Sequence, residues 1–267
     1  MKDMTLDSRW VLVTGASSGL GMEMACQLAR QYKSNLILVA RRADKLDALK
    51  AVLEKEADVR CHVIAADLSS PVDVDRVYEE AIAVGDVYGV ILNAGVTHFG
   101  KHVDLDWAAF QSLLATNVTS VIRLMSLFSP YLIRKKQGGG IMVISSMASL
   151  LPVPYQAAYA GSKAFVTNFS QSMWQEVRDE NMSITVFAPG GIDTEMTRGS
   201  KLKYFENTVF LQDVKSCASD AINAMKTRRS LYVPGALNRI QLLFSRLVPR
   251  NLVASIAQSA YRKALDI

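Results

Sequence analysis

A tyrosine and a lysine four positions apart, Tyr159 and Lys163, occur in the segment AYAGSKAFV. On a helix this spacing places both side chains on one face, where a phenol and an ammonium group can act together as an acid–base pair. Tyr131 and Lys135 have the same spacing, so the spacing alone does not separate a catalytic pair from polar residues on a surface. The elements around each pair have to decide between them.

The composition is that of an ordinary globular protein, with 50% apolar and 21% charged residues in a chain of 267. The net charge of +5 is modest, and the basic residues are scattered, which argues against a nucleic-acid-binding surface. Cys26, Cys61 and Cys217 form no CxxC pair and are odd in number, so neither a disulfide framework nor a zinc site is indicated. A reducing compartment fits this cysteine usage best.

The amino-terminal sequence MKDMTLDSRW is polar. No stretch reaches the roughly 18 uninterrupted apolar residues that a membrane-spanning helix needs. We therefore expect a cytoplasmic protein.

Seven short apolar segments alternate with helical patterns along the chain. The segments are rich in Val and Ile and lack polar alternation, which is typical of strands buried on both faces. They occupy residues 10–16, 35–40, 61–68, 87–95, 140–146, 183–190 and 230–235. No repeat or linker divides the chain, so the pattern predicts one α/β domain over residues 1–267, with a mainly parallel seven-stranded sheet and helices on both faces. Ligands bind such sheets at the carboxyl ends of the strands.

The first predicted strand ends in TGASSGLG. Its glycines allow a tight turn and a close approach of backbone N–H groups to a diphosphate at the start of a helix, although a plain glycine turn is the alternative. The predicted contact residues are Gly15, Ser17, Ser18, Gly19, Leu20 and Gly21.

Arg41 and Arg42 follow the second predicted strand, where a fold that selects NAD would carry an acidic residue for the ribose hydroxyl. Guanidinium groups can bind a 2′-phosphate instead. Solvated charge before a helix is the alternative, but cations are unfavourable near a helix N-terminus unless an anion is nearby. The pair therefore favours NADP(H).

The third and fourth predicted strands end in short polar or small residues. Asp67 can accept a hydrogen bond from an adenine amino group, and Leu68 follows it. Asn93, Ala94 and Gly95 would let a cofactor pack against the backbone, although each of these residues alone is more often turn chemistry.

The fifth predicted strand ends at Ser145 and Ser146, and Tyr159 opens a predicted helix thirteen residues after Ser146. Tyr131 and Lys135, in contrast, end a long predicted helix that runs into KKQGGG, far from a strand end. We therefore predict that Tyr159 and Lys163 form the site and that the other pair is solvated surface.

These motifs together resemble the short-chain dehydrogenase/reductase family over roughly residues 8–235. The resemblance rests on TGASSGLG, on NAG at 93–95, on Asn117 in a helix, on a serine thirteen residues before YAGSK, and on PGGIDT at 189–194. Leu92 replaces a common second Asn before NAG, which affects nothing essential. The resemblance implies a single-domain Rossmann-like doubly wound fold, hydride transfer with NADP(H), and a homodimer or homotetramer.

The resemblance also implies a catalytic group of Asn117, Ser146, Tyr159 and Lys163. Tyr159 would be the acid or base, and Lys163 and an oxidised nicotinamide would lower its pKa from about 10. Ser146 would hydrogen-bond the substrate oxygen, with a cap at the strand end as the alternative. Asn117 would hold a water that links Lys163 to solvent.

The PGGIDT loop and the histidines complete the candidate residues. Pro189, Gly190, Ile192 and Thr194 are the predicted cofactor contacts of this loop, in which the Ile192 backbone and the Thr194 hydroxyl would meet the nicotinamide carboxamide. An ordinary Pro-Gly turn is the alternative. His98 and His102 lie four apart but lack a third ligand, so no metal site is predicted, and His62 is expected to be a core histidine.

The segment 195–212 mixes apolar and basic residues and should lie over the substrate. It suits a hydrophobic ketone, 3-oxoacyl or steroid-like substrate, although a solvated loop has the same composition. Its relevant residues are Met196, Arg198, Lys201, Lys203, Tyr204, Phe205 and Phe210. The predicted function is an NADP(H)-dependent oxidoreductase. A catalytically silent NADP(H)-sensing binding or regulatory protein is the alternative, but the complete set of four catalytic residues argues against it.

Residues 236–265 form a predicted amphipathic helical extension, whose apolar and basic residues occupy different faces. The apolar face carries Ile240, Leu243, Phe244 and Leu247, and the basic face carries Arg239, Arg246 and Arg250. We expect this extension to cover the substrate side or a subunit interface. Contact with an anionic membrane surface is the second alternative and loose order the third.

Overall fold

The structure is a computed structural model that describes residues 2–192 and 211–265. Nine strands occur in this part of the chain: β1 Trp10–Thr14, β2 Asn35–Ala40, β3 Cys61–Ala65, β4 Val87–Leu92, β5 Gly140–Ile144, β6 Ser183–Phe187, β7 Gly191–Ile192, β8 Leu211–Gln212 and β9 Leu231–Tyr232. Seven of these strands form one parallel sheet in the order β3-β2-β1-β4-β5-β6-β9, while β7 and β8 pair separately. The prediction of a doubly wound, mainly parallel seven-stranded sheet is confirmed.

The helices of the described residues, numbered here in chain order, are α1 Gly19–Tyr32, α2 Ala43–Ala57, α3 Pro71–Val84, α4 Trp107–Leu114, α5 Ser120–Lys135, α6 Ala157–Val177, α7 Val214–Lys226, α8 Ala236–Leu247 and α9 Arg250–Leu265. Two apolar layers lie on opposite faces of the sheet. One contains α1, α2 and α7, and the other contains α3, α5 and α6. Burial of both sheet faces explains the continuous apolar strands of the sequence.

Burial is incomplete at β3, which lies at one edge of the sheet. Its residues alternate between buried and more exposed, and Ala65 at its end is exposed. The prediction of a strand buried on both faces is therefore wrong here, because an edge strand has a neighbour on one side. For the same reason His62 is half-buried and is not a core histidine.

Tyr131 belongs to the apolar core and not to the solvated surface that the sequence predicted. Its ring packs edge-on against Tyr78 and Phe128, and its hydroxyl accepts a hydrogen bond from the Val87 backbone N–H at 3.1 Å. Lys135, one turn further on, pairs with Asp86 at the surface. This tyrosine and lysine thus have structural roles.

The continuous helix Trp107–Lys135 joins α4 and α5 through a π-helical turn, Ala115–Thr119. In length and composition it is the one helix among the described residues that could cross a membrane. Its buried side chains, including Leu124 and Phe128, pack in the layer that covers the sheet. The helix therefore has the packing of a core helix.

The amino-terminal segment crosses to the far edge of the sheet. The Met4 backbone N–H donates to the carbonyl of Lys226 at the end of α7, and Met4 and Leu6 are buried beneath that helix layer. Arg228 binds the same region through the Lys2 and Gly138 carbonyls and the Ser183 hydroxyl. The amino-terminal segment and the end of α7 therefore close this part of the core together.

Candidate active site

A cleft of about 1000 Å³ runs along the carboxyl ends of the central strands. Its floor is made of the segments that directly follow β1, β2, β3, β4 and β5. Several predicted strand segments extended beyond the true strand ends, and many of these extra residues line the cleft. For example, β4 ends at Leu92, and residues 93–97 continue into the cleft wall.

The glycine loop after β1 requires its glycines for conformation and for space. Gly15 and Gly19 have positive φ angles of 69° and 55°, which side-chain-bearing residues rarely adopt. A Cβ atom on Gly21 would lie 2.4 Å from the carbonyl oxygen of Gly15 and from Nδ2 of Asn93. The loop is therefore packed tightly against the segment that follows β4.

Asn93 and Ala94 fix that neighbouring segment through Thr14. Their backbone N–H groups donate to the Thr14 hydroxyl at 2.9 and 3.0 Å, and the Asn93 side chain donates to the Thr14 carbonyl at 3.0 Å. These contacts hold Gly95 beside the buried polar groups of the site. A Cβ atom on Gly95 would lie 3.3 Å from Oδ1 of Asn117 and 3.4 Å from Nζ of Lys163.

Arg41 and Arg42 both line the cleft, but their surroundings differ. Arg42 donates through Nη2 to the hydroxyls of Ser18 at 2.8 Å and Ser17 at 3.0 Å, whereas Arg41 is exposed. Ser18 is the N-cap residue of α1, and its hydroxyl faces Arg42 and does not cap the helix. The N-terminus of α1 and a guanidinium group thus meet at one end of the cleft, and both attract anions.

Asp67 and Leu68 also line the cleft, in the segment that follows β3 beside the end of β2. The carboxylate of Asp67 accepts hydrogen bonds from the backbone and the hydroxyl of Ser69, both at 2.9 Å. This is the turn chemistry that the sequence left open as the alternative. The adenine contact of Asp67 stays a prediction.

Lys163 is buried, and its ammonium group donates to the Ile144 carbonyl at 2.8 Å. Burial lowers the pKa of Lys163 to about 8, because removal from water disfavours the charged form. Its Nζ atom lies 6.0 Å from the centre of the Tyr159 ring. The predicted pair therefore shares one face of α6, within the cleft.

Tyr159 interacts with Ser146, whose hydroxyl hydrogen bond lowers the pKa of the phenol. Burial has the larger and opposite effect, so the pKa of Tyr159 is raised above its usual value, contrary to the direction expected from the sequence. Ser146 also accepts a hydrogen bond at 3.1 Å from Ala148, at the start of the short 3₁₀ helix Met147–Ser149. The cap that the sequence offered as the alternative for Ser146 is therefore present, while its hydrogen bond to a substrate oxygen stays a prediction.

Asn117 lies in the π-helical turn and is fully buried. Its side chain accepts from the Val96 N–H and donates to the Val96 carbonyl, both at 2.8 Å, and it donates to Ser162 at 3.1 Å. These bonds tie α6 to the segment after β4, and turns of this kind are frequent at functional sites. The implied role of Asn117 in holding a water stays a prediction.

Sequence reasoning missed Gln156 and Tyr261. The Tyr261 hydroxyl, on α9, donates to Gln156 Oε1 at 2.9 Å, and Gln156 Nε2 donates to Thr97 at 3.4 Å. Burial, together with the nearby Tyr159, raises the pKa of Tyr261 to about 12. A weak signal existed in the sequence, because Val253, Ala257 and Tyr261 recur at intervals of four and share one helix face.

The carboxyl-terminal helices cover part of the cleft with that face. Gln241 of α8 and Val253, Ala257, Ala260 and Tyr261 of α9 line it. Pro189, Gly190 and Ile192 line it from the segment after β6, with the Pro189 carbonyl accepting from Met147 N–H at 2.8 Å. Thr194 and the substrate-contact residues predicted at 196–210 lie outside the described residues. Within residues 2–192 and 211–265, no three His, Cys, Asp or Glu side chains are grouped for a metal.

Comparison with known proteins identifies relatives of this arrangement. The chain matches the family model for short chain dehydrogenase over residues 9–204. It is 36% identical over 192 residues to a very-long-chain 3-oxoacyl-CoA reductase of Podospora anserina. The aligned region covers 70% of this chain and 52% of that reductase. It is 29% identical over 224 residues to 17-beta-hydroxysteroid dehydrogenase type 3 of Homo sapiens. Here the aligned region covers 80% of this chain and 67% of that protein. The chain thus spans about half the length of the fungal relative.

A solved structure resembles the whole fold. A short-chain dehydrogenase from Sphingobium yanoikuyae in complex with NADPH superposes with a TM-score of 0.80 and 27% identity. The superposition covers 90% of this chain and 93% of that one.

Proposed function

This chain belongs to the short-chain dehydrogenase family, and from that premise we propose that it is an NADP(H)-dependent oxidoreductase. It transfers a hydride between the nicotinamide and the carbonyl or alcohol group of a hydrophobic substrate. The observation that carries the proposal is one continuous cleft with Arg42 and the glycine loop at one end and Ser146, Tyr159 and Lys163 further along. The names of the relatives, a 3-oxoacyl-CoA reductase and a hydroxysteroid dehydrogenase, support an apolar substrate.

The residues present fit a dinucleotide with a 2′-phosphate. The glycine loop leaves no room for a Cβ atom at Gly21 and presents backbone at the start of α1, as a diphosphate contact requires. Arg42 would bind the 2′-phosphate from its position on Ser17 and Ser18, and Arg41 would add a second positive charge. When bound, NADPH supplies the hydride that carbonyl reduction needs.

The catalytic residues supply the proton and position the substrate oxygen. In the reduction direction Tyr159 donates its phenolic proton to the carbonyl oxygen, and the raised pKa keeps the phenol protonated for this step. Ser146 hydrogen-bonds the same oxygen and stabilises the charge that develops there. Lys163 lies beside the ring and favours the phenolate that remains after proton transfer.

We expect Tyr159→Phe to lower the rate of hydride transfer at least 100-fold, because general acid catalysis typically contributes about 10²- to 10⁴-fold. NADPH affinity should change little, since the phenol oxygen acts on the transition state. Single-turnover kinetics with NADPH and a panel of apolar ketones measures the rate, and fluorescence titration measures the affinity.

Tyr131→Phe is the matched control, because it removes a phenol with the same spacing to a lysine. It should leave hydride transfer unchanged and lower the free energy of unfolding by about 1 kcal/mol, since the Val87 N–H loses its partner. Equal losses of turnover in both variants would refute the catalytic assignment. NADPH binding without turnover of any ketone in the wild-type protein would favour the silent sensing protein.

The cofactor preference is tested at the two arginines. NADPH should bind at least about tenfold more tightly than NADH, a difference of about 1.4 kcal/mol. Arg42→Ala and Arg41→Ala should each weaken NADPH much more than NADH, because the two cofactors differ in the 2′-phosphate. Titration of both variants with both cofactors decides the point, and equal weakening of NADPH and NADH would contradict it.

Cytoplasmic location and assembly as a homodimer or homotetramer are further proposals from the sequence and the family resemblance. Cell fractionation and the solution mass of the purified protein test them.

A further inference from the structure

Helices α8 and α9 expose seven large apolar side chains, here called the C-terminal apolar face. Their relative exposures lie between 42% and 76%, although such side chains are usually buried. The face consists of Leu237, Ile240, Leu243, Phe244, Leu247, Leu252 and Ile256. Elsewhere in the described chain, exposed large apolar residues such as Val52, Val72 and Val103 belong to separate elements. A concentrated apolar surface of this kind marks an interaction site.

The face cannot be the side that packs on the protein's own cleft. None of the seven residues of the face lines the cleft, which is lined instead by Gln241 and Tyr261 of the same helices, and Asn238 is buried. Each helix therefore has an inner side that lines the cleft and an outer side that faces solvent. The outer side is available to an external partner.

The charge around the face selects the kind of partner. Residues 236–265 contain the five basic residues Arg239, Arg246, Arg250, Arg262 and Lys263 and no acidic residue. Arg239 and Arg250 are exposed next to the apolar residues of α8. A second copy of the chain placed on this face would bring like charges together, whereas an anionic lipid surface would be attracted.

We propose that the C-terminal apolar face lies on the surface of an anionic lipid bilayer. A helix with large apolar residues on one side and flanking arginines has the properties of an interfacial helix, with its apolar side at the boundary between headgroups and acyl chains. Pro249 separates α8 from α9, so the two short helices lie along the surface and neither spans it. The contact with the membrane is therefore peripheral, and the side of α8 and α9 that lines the cleft stays directed towards the protein.

Vesicle sedimentation of the full chain tests the proposal. The probes are vesicles of phosphatidylcholine alone and vesicles of phosphatidylcholine mixed with phosphatidylglycerol. The protein should sediment with the mixed vesicles and much less with the neutral ones, and added salt should weaken the binding because it screens the arginines. The readout is lipid binding and not turnover, so its failure would leave the proposed enzymatic function intact.

Two variants separate the apolar and the charged contributions. The triple variant Leu243→Ser, Phe244→Ser and Leu247→Ser should bind mixed vesicles at least tenfold more weakly, because it removes the central apolar side chains of the face. The variant Arg239→Gln with Arg250→Gln should bind the mixed vesicles more weakly and with a smaller salt dependence than the wild type, because it removes two of the five basic residues. The matched control Val52→Ser, Val72→Ser and Val103→Ser alters equally exposed apolar residues elsewhere and should bind like the wild type. Thermal unfolding and NADPH titration verify that each variant is folded.

Three results would overturn the proposal. The intact protein could fail to sediment with mixed vesicles, or the folded triple serine variant could sediment as well as the wild type. The third is a concentration-dependent dimer, seen by analytical ultracentrifugation, that the triple variant abolishes while lipid binding is absent. That result would assign the face to a second copy of the chain.

Discussion

Ser146 shows how one hydroxyl serves both structure and chemistry. It accepts a hydrogen bond from Ala148 at the start of a 3₁₀ helix, and its hydrogen bond stabilises the phenolate form of Tyr159. A hydroxyl has one proton to donate and two lone pairs to accept with, so the two roles do not compete. The alternatives in the sequence were the cap and a hydrogen bond to the substrate oxygen, because the sequence shows the position of Ser146 and not its partners. The structure adds Tyr159 as a partner, and the substrate contact stays a prediction.

The catalytic residues could be predicted because their signals are local. Ser146 follows a run of Val and Ile, and Tyr159 and Lys163 share a helical spacing within one segment. The contact between Gln156 and Tyr261 could not be predicted, since it joins residues 105 positions apart and no periodicity reports such a pairing. The error at Tyr131 was avoidable, because Leu124, Phe128 and Tyr131 form a helical stripe that packs in the core.

The buried ammonium group of Lys163 predicts a pH dependence of stability. Its native pKa is about 8, below the usual 10.5, so between these values the unfolded chain holds a proton that the native protein has lost. Stability rises with pH wherever the unfolded state binds more protons. Burial of the charged lysine therefore costs stability below pH 8, and the cost disappears as the pH rises towards 10.5.

Lys163→Met lacks this titration and should remove the dependence. From about pH 8 to 10.5 the unfolding free energy of the wild type should rise by roughly 3 kcal/mol relative to the variant, because one pKa unit corresponds to about 1.4 kcal/mol. Urea unfolding of both proteins at several pH values measures the difference. If the unfolding free energies of the two proteins differed by a constant amount across this pH range, the ammonium group of native Lys163 would titrate near its usual pKa.

At the scale of elements, the order of strands and helices could be predicted because both sheet faces are covered. Continuous Val and Ile runs indicate such strands, and these runs located all seven strands of the sheet. The strand ends could not be placed, because apolar and small residues such as Ala94 and Gly95 continue the pattern into the cleft wall. The π-helical turn at Ala115–Thr119 could not be predicted either, since Thr, Asn and Val have low helix propensity but do not specify this hydrogen-bonding pattern.

Alanine substitution at two helical glycines should change the free energy of unfolding in opposite directions. Gly21→Ala places a Cβ atom 2.4 Å from the Gly15 carbonyl, so the glycine loop must shift. We expect a loss of about 1–3 kcal/mol in unfolding free energy, as for other overpacked sites, and weaker NADPH binding. Calorimetry and cofactor titration measure both effects.

Gly161→Ala is the control within α6. A Cβ atom at this position would have no neighbouring atom within 4 Å, and glycine is unfavourable inside a helix, so the unfolding free energy should rise by about 0.5–1 kcal/mol. A loss of stability in Gly161→Ala, or a neutral effect of Gly21→Ala, would contradict this account of the two sites.

At the scale of the whole molecule, Arg228 joins distant parts of the chain. Its guanidinium donates to the Lys2 carbonyl at 2.6 Å, to the Gly138 carbonyl at 2.5 Å and to the Ser183 hydroxyl at 2.9 Å. These acceptors belong to the amino-terminal segment, the turn before β5 and the start of β6. All three would lose a charge-assisted partner together if the guanidinium were removed.

Arg228→Met should therefore lower the unfolding free energy by about 2–3 kcal/mol, since hydrogen bonds to charged groups contribute about 1.5–3 kcal/mol and the acceptors are partly buried. Arg229→Met is the matched control, because Arg229 is the exposed neighbouring residue. It should change stability by less than about 0.5 kcal/mol, as is usual for surface substitutions. Chemical denaturation compares the two variants, and equal effects would show that the Arg228 contacts contribute little.

The bond between Met4 and Lys226 has a consequence for the newly made chain on the ribosome. Translation adds about 5–20 residues per second, so the partner of Met4 emerges on the order of 10–40 s after Met4 itself. During that interval Met4 and Leu6 lack the α7 layer that covers them in the finished protein. The amino-terminal segment therefore gains the cover of α7 only late in synthesis, and until then this side of Met4 and Leu6 is open to chaperones and proteases.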